Sequence, residues 1–136
     1  MTTETRITCG IILLTVPTIQ YGGYFLLSIL SGRSKLALTD FQKSMFRAGH
    51  AHAGVLVILA IIAELLTDYT GLGPVSEHIV RAGFPSAAIL VSGGFFASAS
   101  GRNTTQPNRL VAILYLGVLI LAFCLIILGI GLIQGK

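Results

Sequence analysis

The sequence predicts an all-α protein, a bundle of four transmembrane helices. Three observations carry that expectation. Four apolar windows are each long enough for a hydrocarbon core that takes about 20 helical residues. The 136-residue chain is 54% hydrophobic and 10% charged, with mean hydropathy +0.86, whereas soluble chains carry about 25% charged residues. Its charges lie between the apolar windows, as in polytopic membrane proteins. The net charge of +4 forms no basic patch interleaved with aromatics, so nucleic acid is not an expected partner. The lipid bilayer is.

Helix 1 is expected over residues 7–30, with Pro17 and the pair Gly22-Gly23 inside it. Its apolar run exceeds the roughly 7–15 residues of a signal-peptide core, and no small-x-small cleavage site follows before Arg33, so it reads as a retained span. Cys9 lacks the preceding apolar stretch of a lipoprotein cysteine. Cys9 and Cys124 are expected at depths too different for a disulfide.

Helix 2 is expected over 40–66. Thr39-Asp40-Phe41-Gln42 fits a capping box, with Thr39 accepting from the amide three residues on and Gln42 reaching back. Such a helix is about 40 Å long. Helix 3, over 75–98, follows the turn Gly71-Leu72-Gly73-Pro74, where Pro74 suits the first helical position. It contains Pro85 and Gly93-Gly94. Helix 4, over 110–133, is the most uniformly apolar. Pro17 and Pro85 read as kinks, since Pro is tolerated in membrane helices. The connectors are too short for a further domain, so residues 1–136 form one integral membrane domain.

Orientation follows from Lys and Arg. Arg33, Lys35, Lys43, Arg47, Arg102 and Arg109 lie on one side, against Arg6, Arg81 and Lys136 on the other. That bias puts both basic connectors in the cytoplasm and both termini outside a plasma membrane. Asp68 and Glu77 are then expected to face outward without consequence.

Small residues let helices approach closely, which is most of what holds membrane bundles together. Gly49, Ala53, Gly54, Gly93 and Gly94 are candidates, and Gly22-Gly23 against Gly93-Gly94 is the expected close contact. Two internal echoes are present. Gly22-Gly23-Tyr24-Phe25 resembles Gly93-Gly94-Phe95-Phe96, and Arg47-Ala48-Gly49 matches Arg81-Ala82-Gly83. The first implies a duplicated hairpin, the second an inverted repeat.

The candidate site is Phe46-Arg47-Ala48-Gly49-His50-Ala51-His52-Ala53-Gly54. Ionisable groups at the head of a membrane span are costly and mark function by default. Residues two apart on a helix point about 200° from each other, so His50 and His52 face opposite sides. Arg47, His50, Gly54, Ile61, Glu64 and Asp68 share one face, expected to look into the bundle, and its polar members are Arg47, Glu64 and Asp68. Glu64 lies about 21 Å along the helix from His50, beyond a shared ligand shell. No H-E-x-x-H, C-x-x-C or H-x-x-x-H spacing occurs. No metal site is expected beyond haem iron on His50 or His52. His78 lies roughly 20 Å from His50 in depth and cannot complete a bis-histidine clamp within one chain.

The string F-R-A-G-H-A-H-A-G, with R-A-G-F-P-S-A-A and G-G-F-F beyond it, resembles a family of small four-helix bacterial membrane proteins. The H-A-H-x-G part resembles, more distantly, the histidine-bearing helix of short proteins like subunit I of the haem-copper oxidases. That resemblance implies His50 or His52 as a haem ligand. The rest of the oxidase histidine set is absent here, copper ligands included, and oxygen reduction is not implied.

Three readings stand. In the first, the protein is a non-enzymatic accessory subunit or partner-binding protein, oligomeric or part of a larger membrane complex. Its His50/His52 motif then organises the bundle, with Tyr21, Tyr24 and Tyr115 as hydrogen-bond partners. In the second, it binds haem or a quinone through a helix-2 histidine. In the third, it moves protons or ions along the Arg47–His50–Glu64–Asp68 face, although Gly54, Val57 and Ile61 interrupt that face. No serine has a histidine base at identifiable spacing, so hydrolysis is not expected.

Overall fold

A computed structural model describes residues 1–135. It is all helical: α1 (Thr3–Leu30), α2 (Asp40–Thr67), α3 (Pro74–Ser98) and α4 (Val111–Gln134). All four are long and apolar enough to cross a membrane. Lys136, counted above among the outer charges, lies outside the described residues.

Local signals explain the ends. The α2 capping box forms in full, with Thr39 Oγ1 accepting from the Gln42 amide and Gln42 Oε1 accepting from the Thr39 amide. Pro74 opens α3, where its missing N–H costs nothing. The first helix starts at Thr3, earlier than hydropathy indicated, because Thr2 caps it through the Thr5 amide. That polar first turn is paired with another helix rather than left at an interface.

Neighbouring helices run antiparallel in chain order. The second packs on α1 and α3, and α4 packs chiefly on α3. Glycines set the spacing of α3 and α4. A Cβ at Gly94 would sit 2.5 Å from the Leu114 nitrogen and one at Gly117 2.8 Å from the Val91 nitrogen, and one at Gly83 would collide with Cys124 Sγ. The core at this seam holds Ala60, Ala63, Val80, Phe84, Cys124 and Leu128, with Ile12 from α1. Both cysteines are free thiols.

The expected Gly22-Gly23 to Gly93-Gly94 contact does not form. Gly22 and Gly23 face His50, Gly94 faces Leu114, and Gly93 has no atom within 4 Å of a built Cβ. The reason is helix rotation: Gly94 is turned onto α4, so it is unavailable to α1.

One end of the bundle is tied by Gln42, only 3% exposed. Its Nε2 donates to the carbonyls of Ala99 at 3.0 Å and Gly101 at 2.9 Å, while Thr39 donates its hydroxyl to the Thr104 carbonyl. The α2 cap thereby also anchors the connector between α3 and α4.

Candidate functional site

The opposite end is organised by Arg81, about two turns inside α3. Its guanidinium is spoken for on every side. Nε and Nη2 donate to Glu77 Oε1 at 3.1 and 2.8 Å, and Nη2 also donates to Asp68 Oδ1 at 2.8 Å. Nη1 donates to the Thr5 hydroxyl at 2.9 Å and to Glu64 Oε1. Thr5 passes the contact on, donating to Asp68 Oδ1 at 2.6 Å. The Thr2 amide donates to Asp68 Oδ2 at 2.9 Å, and the Met1 amino group lies 3.6 Å from that oxygen. Four side chains from three helices thus converge on one cation.

Burial makes this network costly to break. The side chains of Arg81, Glu64 and Asp68 are 4%, 2% and 7% exposed, whereas Glu77 is 37% exposed. Removing one partner of a buried pair strands the other without water. Burial alone opposes ionisation of Asp68, but hydrogen bonds from Thr5, Arg81 and the Thr2 amide, with the Arg81 charge, hold it well below the usual carboxylate range. Glu64 Oε2 is buried without a hydrogen-bond partner.

The polar face foreseen on α2 is therefore split. Glu64 and Asp68 come together around Arg81, while Arg47 is exposed at the other end. Asp68 and Glu77 do not sit idle outside; both bind Arg81. The two echoed arginines have opposite environments, Arg47 exposed and Arg81 buried.

At the other end, the histidine stretch touches both neighbours of α2. A Cβ on Gly23 would lie 3.1 Å from His50 Nε2 and one on Gly22 3.5 Å from Nδ1, so the imidazole fills the notch those glycines leave in α1. A Cβ on Gly49 would come 2.9 Å from the Phe96 ring of α3. His52 points elsewhere: Nδ1 is 2.8 Å from the Ala48 carbonyl, and its ring lies 4.8 Å from that of Phe95. Gly54 has open space beside it. Tyr21, Tyr24 and Tyr115 are turned outward and 72%, 63% and 61% exposed.

Comparison with protein-family models, curated proteins and solved structures finds no match to this chain. The residues themselves must carry the reading. Among the described residues, no three His, Cys, Asp or Glu side chains are grouped to hold a metal. His50 and His52 diverge, as helix geometry requires, and each ring is engaged by a neighbouring helix.

The residue missed in sequence is Arg81. Counting it as a flanking charge hid two signals. Glu77 stands four residues before it, the favourable order for a helical ion pair, and it lies inside an apolar run, where an arginine needs a partner.

Proposed function

We propose that the chain is a non-enzymatic, multi-pass protein of the plasma membrane, an accessory or partner-binding subunit of a larger assembly. The observation that carries this reading is the double contact of the histidine stretch: His50 bears on Gly22 and Gly23 of α1, and Gly49 on Phe95 and Phe96 of α3. Both groups are spent on setting helix positions. The excess of Lys and Arg in the two basic connectors supports termini on the outer side. Apolar side chains such as Leu119, Ile126 and Ile133, 67%, 61% and 88% exposed, provide surface for lipid and for neighbouring spans.

Extraction from the native membrane in mild detergent, followed by native mass measurement, tests this function. An accessory subunit runs in a complex of fixed stoichiometry that survives dilution. A free monomer at all detergent concentrations overturns it.

The unpaired Glu64 Oε2 supports one second reading, proton exchange at a buried carboxyl. Reconstituted liposomes would then show a proton flux abolished by Glu64→Gln, and equal flux in both proteins rules it out.

A further inference from the structure

A cavity of about 290 Å³ lies between α1, α2 and α3, lined by Thr15, Ala53, Val57, Pro85, Ala88 and Ser92 among others. It sits near the middle of all three helices and is largely apolar. Ile11 and Ile89 also line it and are 60% and 72% exposed, so its open side faces outward at the level of the spans.

One polar group breaks the pattern. Ser92 is 8% exposed, and its Oγ has no hydrogen-bond partner. Other helix hydroxyls here do what an apolar setting demands and donate to a carbonyl of their own helix. Thr15 donates to Ile12 at 2.7 Å, Thr18 to Thr15 at 2.6 Å, Thr67 to Ala63 at 2.7 Å and Ser86 to Ala82 at 2.8 Å. Ser92 lines the cavity and leaves its hydrogen bond unmade, which is expensive in an apolar setting, and its buried Oγ meets an occupant only by turning about χ1.

We propose that this cavity binds the ring of a lipid-dissolved carbonyl compound, the chemical class of the membrane quinones. Ser92 Oγ donates to a ring carbonyl, and the alkyl tail leaves between Ile11 and Ile89. Depth selects this class over a phospholipid. Ser92 stands about 9 Å from the middle of α3, well inside the roughly 15 Å half-thickness of the hydrocarbon layer. At that depth a phospholipid presents methylenes, which cannot accept from a hydroxyl. Size agrees as well. The cavity is near the lower end of the roughly 300–1,000 Å³ of small-molecule sites and about twice the 150 Å³ that accommodates benzene. A substituted ring fits while its tail stays in lipid. This site shares Ala53 with the histidine stretch but neither histidine lines it, it is separate from the Arg81 network, and it rests on the membrane placement proposed above.

Calorimetric titration of the detergent-purified chain with a decyl-substituted benzoquinone tests the proposal, with decylbenzene as a competitor of similar shape lacking oxygens. The expected result is saturable binding of one quinone per chain that decylbenzene does not displace. Ser92→Ala weakens it about five- to tenfold, and Ala53→Leu, which fills the cavity, abolishes it. Thr15→Leu serves the same purpose if circular dichroism shows Ala53→Leu misfolded. No binding, equal displacement by decylbenzene, or undiminished binding by Ser92→Ala overturns the proposal. Resistance of the protein to alkaline carbonate extraction from membranes, read separately, tells failure of the site from failure of the membrane placement.

Discussion

Arg81 of α3 and Glu64 of α2 form an ion pair with both side chains nearly sealed from solvent, 4% and 2% exposed. Asp68, Glu77 and Thr5 complete the shell, so one guanidinium ties three helices at a single point. Arg81→Met should therefore destabilise the protein by about 3–5 kcal/mol, the cost of breaking a buried pair from one side. The double variant Arg81→Met/Glu64→Met should lose less than Arg81→Met alone, because it removes the more deeply buried of the stranded carboxylates. Thermal melting in detergent measures both. A double variant weaker by the sum of its parts would mean that the pair is not coupled.

Asp68 makes the same end sensitive to acid. Its folded-state pKa is lowered, so it adds stability above its unfolded value and loses it as the pH falls toward the folded one. Asp68→Asn should be less stable than the parent at pH 7, and the gap should shrink as the pH drops below about 4. Melting curves of both proteins at pH 7 and pH 3 check this. A gap that does not change with pH would remove Asp68 from the account.

Adjacent glycines in α3 should respond unequally to one methyl group. A Cβ at Gly94 meets the α4 backbone at Leu114, which cannot rotate away, whereas one at Gly93 meets nothing within 4 Å. Gly94→Ala is expected to cost about 1–3 kcal/mol by overpacking. Gly93→Ala should stay within about 0.5 kcal/mol of the parent. Equal losses in the two variants would contradict the close approach of α3 and α4.

His50 distinguishes packing from haem ligation. If the ring fills the Gly22-Gly23 notch, His50→Ala should loosen α1 and expose it to proteolysis while the purified protein stays colourless throughout. An absorption spectrum, oxidised and dithionite-reduced, is decisive. A stoichiometric Soret band that vanishes in His50→Ala would assign the histidine to iron instead.

The four helices and the starts of α2 and α3 were legible in the chain itself, whereas the start of α1 was not. Window length and hydropathy specify the four spans, and the Thr39–Gln42 cap and Pro74 act within a single turn, so no distant residue is needed to read them. The tertiary structure decided which faces meet. Glu64 reaches Arg81 across 17 residues and Thr5 reaches it across 76, and neither pairing exists until α1, α2 and α3 are rotated into register. His50 finds its glycine notch, and Gly94 its place against Leu114, by the same rotation. Hydropathy cannot supply that rotation. In a membrane the lipid-facing side of a helix is as apolar as its packed side, so the choice falls to close packing and to a few buried polar groups.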